Sequence, residues 1–103
     1  MALTPEGKVK AKITKILDAA GAYYTCPVAG GYGRSGVPDF IGCINSKFFG
    51  IEAKAEGNEA TALQLRELNR IRAAGGIGLL VTGDKDSLLF LEVTMKLHRR
   101  TKC

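Results

Sequence analysis

Residues 36–54 constrain the fold more than any other part of the chain, because they contain two apolar segments separated by one short turn. The first segment covers residues 37–44 and the second covers residues 47–53, which leaves Asn45 and Ser46 as a two-residue turn. In a hairpin with a two-residue turn, the numbers of opposed residues have a constant sum. We therefore predict an antiparallel hairpin that begins with Ile44 opposite Lys47.

Continuing this register away from the turn predicts a cluster of charged side chains at the open end of the hairpin. Asp39 is then opposite Glu52, and Val37 is opposite Lys54. Opposed side chains lie about 4.5–5.5 Å apart at Cβ, and residues two apart on a strand share a face. Two opposed carboxylates repel each other unless a cation lies between them. The predicted arrangement of Asp39, Glu52 and Lys54 is that of a metal site beside an ammonium group.

The same residues allow a simpler interpretation. Asp39 follows Pro38 and is also suited to a turn, in which case Glu52 and Lys54 form an exposed polar stripe on a strand. A three-residue turn would likewise put Asp39 and Glu52 out of register. The interpretations differ in whether a divalent cation raises the melting temperature and whether Asp39→Asn abolishes that increase.

The composition favours a single small domain, which we expect to span residues 1–103, with a polyanionic partner. Hydrophobic residues make up 46% and charged residues 24% of the chain, and no apolar run approaches the ~20 residues of a membrane span. The net charge of +5 suits binding to nucleic acid, although many basic proteins bind none. Three cysteines without C-x-x-C spacing and one histidine predict neither a disulfide framework nor a zinc site. We expect a cytoplasmic protein without membrane association.

The first helix is predicted to begin after Thr4, which can act as the N-cap before Pro5, and to end at Gly21. Apolar residues recur along it at helical spacing, namely Val9, Ile13, Ile16, Leu17 and Ala20. Glu6 falls within this apolar arc, so its carboxylate needs a partner or a metal. The alternative is that an acid in the first turn only interacts favourably with the helix dipole.

A short strand over residues 22–26 and a glycine-rich loop over residues 29–36 follow. The loop contains a formal G-x-G-x-x-G, but a dinucleotide fingerprint requires a helix next, whereas Pro38 and a β-rich segment follow here. Glycines that flank Tyr32 and Arg34 suit close approach of the backbone to a phosphate. A mobile surface loop is the alternative interpretation.

The second half of the chain predicts another helix with a polar residue on its apolar side. Thr61 and Gln64 have capping-box spacing at the start of this helix, which ends at Gly75. Gln64 lies near the middle of the apolar arc, where it either completes the cap or orients a group in the site. Arg66 and Arg70 lie on other faces and are candidates for contact with a phosphate backbone, although a solvated face is the commoner outcome.

The last segments complete an α/β pattern. Residues 77–81 are wholly apolar, as expected of an interior strand. From Asp86 onward the apolar spacing fits both a strand and a helix, and we favour a helix. The order of helix, three strands, helix, strand and helix predicts a small mixed sheet flanked by helices.

The ordered set of Glu6, Gly36-Val37-Pro38-Asp39, Glu52-Ala53-Lys54 and Gln64 resembles the PD-(D/E)xK nuclease superfamily. Within that superfamily it is similar to the stand-alone, virus-type members of the VRR-NUC family. The resemblance covers nearly the whole chain and implies a restriction-endonuclease-like αβββαβ core. It further implies a phosphodiesterase that uses Mg²⁺ or Mn²⁺ and acts in the cytoplasm of a bacterium or a phage-infected host.

The resemblance also implies the metal ligands. Asp39 and Glu52 would supply carboxylate oxygens, and the carbonyl of Ala53 would supply another oxygen of the kind that hard divalent ions prefer. Glu6 would complete the coordination or hold a second metal, although Gly7 in the first helical turn leaves its placement less rigid.

For the chemistry, the resemblance implies that Lys54 acts beside the attacking water and that Gln64 holds Lys54 in place. The products would carry 5′-phosphate and 3′-hydroxyl ends. Stand-alone family members are regarded as structure-selective enzymes for four-way junctions, whereas the related Fanconi-associated nuclease cuts flaps. Because two symmetric nicks need two sites, the implied function is resolution of four-way (Holliday) junctions by a homodimer. The alternatives are flap cleavage, a sequence-specific endonuclease, and a non-catalytic module that binds DNA or recruits a partner.

Overall fold

The structure is a computed structural model that describes residues 3–28 and 35–99. Within these residues it contains α1 (Pro5–Ala20), β1 (Tyr23–Thr25), β2 (Phe40–Ile44), β3 (Lys47–Lys54), α2 (Ala62–Ala73), β4 (Ile77–Thr82) and α3 (Lys85–His98). This is the predicted α/β order, and the segment after Asp86 is the favoured helix. None of the helices in the part of the chain that the structure describes is long and apolar enough to cross a membrane.

The four strands form one mixed sheet in the order β1-β2-β3-β4. β1, β2 and β3 are antiparallel neighbours, whereas β4 runs parallel to β3 after the crossover through α2. The prediction that β4 is an interior strand is wrong, since it lies at an edge of this sheet. Its apolar sequence instead reflects cover on both faces, because α2 and α3 both pack against it.

Alternation along β3 separates the two faces of the sheet. Phe49, Ile51 and Ala53 are fully buried on the first face, where α1 and α3 cover the core. The residues that α1 and α3 contribute to this core are Val9, Ile13, Leu17, Leu91 and Met95. Gly50 and Glu52 point to the second face, which is covered in part by α2, and this is the face that carries the polar cluster.

The helix ends follow the predicted capping residues. Thr4 is the N-cap of α1, its hydroxyl accepts a hydrogen bond from the N–H of Gly7 at 3.0 Å, and Pro5 is the first helical residue. Gly21 ends the helix in the left-handed conformation, with φ of 75°. These caps fix where α1 starts, and therefore where Glu6 lies relative to the sheet.

Candidate active site

The turn between β2 and β3 has the predicted length of two residues. Asn45 and Ser46 both have positive φ, 47° and 70°, as the favoured two-residue hairpin turn requires. Ile44 pairs with Lys47, and the ladder continues in constant register toward the open end of the hairpin. The predicted register is confirmed, and a three-residue turn is excluded.

Asp39 lies one residue before β2, at the position that this register puts opposite Glu52. Its Oδ2 accepts a hydrogen bond from the backbone N–H of Ala53 at 2.8 Å. Pro38 has no N–H to contribute to a ladder, so the strand starts later than the predicted residue 37. The Asp39 side chain pairs with β3 instead, and this contact holds it beside Glu52.

Glu52 is a buried carboxyl group, with only 3% of its surface exposed. Burial, the charge of Asp39 and a hydrogen bond to Asp39 together raise the pKa of Glu52 to about 8, while the charge of Lys54 opposes the increase. Such a group retains its proton at neutral pH unless another cation approaches. The sheet therefore brings together two carboxyl groups that do not both ionise readily.

Gln64 links the start of α2 to Glu52. Its Oε1 accepts a hydrogen bond from the N–H of Thr61 at 2.8 Å, which completes the capping box. Its Nε2 donates to Oε2 of Glu52 at 2.9 Å. The two roles considered for Gln64 therefore coexist, and the group that it orients is Glu52, whereas the resemblance had implied Lys54.

Glu6 reaches the cluster through a residue that the sequence did not single out. Nζ of Lys10 lies 3.5 Å from Oε2 of Glu6 and 3.4 Å from Oδ1 of Asp39. Burial lowers the pKa of Lys10, but the attraction of Asp39 and Glu6 outweighs it and leaves that pKa above its usual value. The spacing of Glu6 and Lys10, four residues apart on one helix, was the available signal.

Lys54 is the last residue of β3 and lies on the same face as Glu52. It pairs with Thr82 at the end of the parallel strand β4. The carboxyl ends of parallel strands are a common position for ligand sites in α/β sheets. Lys54 is half-buried there, and its positive charge opposes the increase in the pKa of Glu52.

Asp39 and Glu52 fit a hard divalent cation, since both offer oxygen donors and their mutual repulsion is relieved by positive charge. Within residues 3–28 and 35–99, however, three or more acidic, histidine or cysteine side chains do not converge into a metal-binding group. Glu6 is held on Lys10 instead of joining the pair. The site thus contains two carboxyl groups, those of Asp39 and Glu52. The ammonium of Lys10 lies between Asp39 and Glu6, the third predicted ligand.

The four residues predicted to contact DNA fall into two groups. Tyr32 and Arg34 lie outside the described residues. Arg66 and Arg70 lie on α2, where their guanidinium groups are 3.2 Å and 3.8 Å from Oε2 of the buried Glu67. Both arginine side chains remain substantially exposed, so they carry positive charge at the surface of α2.

Comparison with known proteins agrees with this geometry. No protein-family model and no curated protein matches the chain. Among solved structures, one described as a VRR_NUC domain is similar with a TM-score of 0.70 and 27% sequence identity, over 86% of this chain and 95% of that chain. The similarity thus extends over nearly the whole of both folds, and it supports the membership of the VRR-NUC family that the order of the motifs predicted.

Proposed function

We propose that this chain is a Mg²⁺- or Mn²⁺-dependent DNA endonuclease that hydrolyses phosphodiester bonds. The observation that carries the proposal is the apposition of Asp39 with a buried Glu52 whose pKa is raised to about 8. A cation bound between the two carboxyl groups allows both to ionise, whereas without a cation the charge of the pair only hinders contact with a phosphate backbone. A surface that only binds DNA gains nothing from such a pair, whereas a metal-dependent nuclease requires one.

Asp39 and Glu52 are the proposed carboxylate ligands of the metal. The N–H and C=O of one strand residue point to the same side, so the N–H contact of Ala53 with Asp39 supports its carbonyl as a further ligand. Glu6 is available as another ligand once Lys10 withdraws. When bound, the metal supplies Lewis-acid stabilisation of the phosphate and a more acidic water.

The remaining polar residues have complementary roles in the proposed reaction. The Lys54 ammonium favours the deprotonated form of the attacking water and stabilises the charge that develops on the phosphate oxygens. Gln64 holds Oε2 of Glu52 in one orientation through its 2.9 Å hydrogen bond. Tyr32, Arg34, Arg66 and Arg70 are proposed to contact the DNA backbone, which the net charge of +5 also favours.

The preferred substrate is proposed to be a four-way junction, cut by a homodimer of a single nuclease domain spanning residues 1–103. Two symmetric nicks need two sites related by a twofold axis, and the residues that the structure describes form one candidate site. A domain of this size also has little surface left for reading a base sequence. These two features favour a structure-selective enzyme over a sequence-specific one.

The test is cleavage of labelled four-way junction, flap, single-stranded and linear duplex DNA with Mg²⁺ or Mn²⁺. Asp39→Asn keeps the size of the side chain and its acceptor for Ala53 but removes the charge, and Glu59→Gln removes a charge from an exposed loop as the matched control. We expect paired, symmetric nicks in the junction that Asp39→Asn abolishes and Glu59→Gln preserves. Cutting of flaps alone would overturn the junction proposal, and no metal-dependent cleavage of any substrate would overturn the catalytic one.

A further inference from the structure

The outward side of α3 is apolar where a surface helix is normally polar. Leu89, Phe90, Val93 and Leu97 have 55%, 61%, 46% and 78% of their surfaces exposed. At about 100° per residue they cover one arc of the helix, opposite the fully buried Leu91. A helix that is apolar on all sides is normally buried on all sides. We call the surface formed by these four residues together with Asp86 and Lys96 the α3 outer face.

The spacing on this face is that of a coiled-coil seam. Asp86, Leu89, Val93 and Lys96 follow one another at intervals of three, four and three residues, which are the intervals of alternating a and d positions in heptads. The two central positions are apolar, and the two outer positions carry opposite charges. Phe90 flanks the seam on one side.

We propose that the α3 outer face is the twofold contact between two copies of this chain, packed as an antiparallel helix pair. This inference rests on the proposed function, because it assigns the interface of the homodimer proposed there. In the register that puts Leu89 opposite the partner's Val93, Asp86 is opposite the partner's Lys96, and the twofold axis repeats both contacts. A parallel pair would put like charges opposite each other. The charge pattern therefore favours pairing with a second copy of this chain in antiparallel orientation, because only that orientation puts Asp86 opposite Lys96.

The ends of the seam are free to make these contacts. Lys96 and Glu92 form an exposed ion pair at 3.9 Å, with side chains 63% and 48% exposed, which is the kind of contact that contributes little energy. Asp86 is exposed in the first turn of α3. The aliphatic stem of the partner's Lys85 lies opposite Leu97 in the same register and covers part of its exposed surface.

The size of the contact sets the expected affinity. α3 has 14 residues and is therefore about 21 Å long. A groove between α1 and α3, lined in part by Lys12, Ile16 and Leu89, borders the face and extends the contact onto α1. Since one helix pair buries less than the roughly 800 Å² per partner of a standard interface, we expect a dimer with a dissociation constant in the micromolar range.

The test is sedimentation equilibrium of the whole chain across that concentration range, with a charge swap as the main comparison. We expect Asp86→Lys and Lys96→Asp each to weaken the dimer at least tenfold, and the double variant to return to within about threefold of the wild type. Val93→Glu should leave a monomer. Phe48→Glu, at a position with 47% exposure on the other face of the molecule, is the matched control and should leave the dimer intact.

Each contrary result overturns the proposal. If the wild type is a monomer at all concentrations, the α3 outer face does not pair in this way. The same conclusion follows if the double variant dimerises no more tightly than either single variant. Loss of the dimer in Phe48→Glu but not in Val93→Glu assigns the contact to the sheet. Circular dichroism of every variant separates a lost contact from a lost fold. Metal-dependent nicking is measured separately. An active monomer refutes the interface and the homodimer but leaves the nuclease chemistry intact, and an inactive dimer refutes the nuclease chemistry but leaves the interface intact.

Discussion

Replacing Glu52 with glutamine should remove a large part of the pH dependence of stability of the metal-free protein. Glu52 is 3% exposed, and burial together with Asp39 raises its pKa from 4.5 to about 8. The folded protein therefore binds the Glu52 proton more tightly than the unfolded chain does. The contribution of this group to the free energy of unfolding is largest below about pH 4.5, falls as the pH rises to about 8, and is constant above.

The size of this effect follows from the two pKa values. One pKa unit corresponds to about 1.4 kcal/mol. The raised pKa of Glu52 should therefore lower the free energy of unfolding by an amount on the order of 3–5 kcal/mol between pH 5 and pH 9. Glutamine has the shape of the protonated acid, and its amide can donate to Asp39 while accepting from Gln64. The Glu52→Gln variant should therefore keep the contacts of the folded state and lose the titration.

Urea denaturation in EDTA at several pH values measures the difference directly. We expect the wild type to lose 3–5 kcal/mol more than Glu52→Gln as the pH rises from 5 to 9, while the control Glu59→Gln follows the wild type. Mn²⁺ should restore stability at high pH in the wild type but not in Glu52→Gln, since ligand binding to the folded state is stabilising. Parallel pH profiles for wild type and Glu52→Gln would refute the reasoning.

Two further predictions concern Lys10 and Gly36. Lys10→Met removes the ammonium that contacts two carboxylates, and because exposed ion pairs contribute about 0.2–1 kcal/mol each, we expect Mn²⁺ binding to tighten several-fold by calorimetry. Lys12→Met, on the exposed side of α1, should leave the affinity nearly unchanged, and an equal effect of both variants would show that overall charge is the cause. Gly36→Ala should lower the free energy of unfolding by about 1–3 kcal/mol, because φ is +85° and a Cβ would lie 2.6 Å from the carbonyl oxygen of Leu63. Gly57→Ala is the control, since φ is +89° there but a Cβ would meet no atom within 4 Å. Thermal denaturation of both variants separates the steric clash from the backbone strain, and equal losses of stability would show that the clash contributes nothing.

The hairpin was predictable because its geometry depends on residues that are close in sequence. The two-residue turn at Asn45 and Ser46 and the apolar segments on each side determine which residues are opposed, so Asp39 and Glu52 could be paired without a structure. The start of β2 was not predicted correctly. The alternating pattern does not show that the side chain of Asp39, rather than its backbone, pairs with Ala53.

Contacts between distant elements were harder to predict. β4 looked like an interior strand because it is apolar on both sides, but cover by two helices produces the same pattern at the edge of a sheet. Lys10 looked like one of several lysines on α1, and only the packing of α1 beside the start of β2 brings its ammonium to Asp39. Helical periodicity gives the direction of a side chain but not the element that it meets.

The repulsion between Asp39 and Glu52 persists because the hairpin cannot relax by itself. A slip of one residue would separate the carboxylates, but it would also turn the fully buried Ile51 and Ala53 to the opposite face. Exposing a side chain such as isoleucine costs about 1.5–3 kcal/mol, and several residues of β3 would move together. The two-residue turn at Asn45 and Ser46 opposes the same slip from the other end. The core between the sheet, α1 and α3 thus holds the two carboxyl groups together, which is why an unfavourable pair can persist without a bound cation at the end of the two central strands of a small sheet.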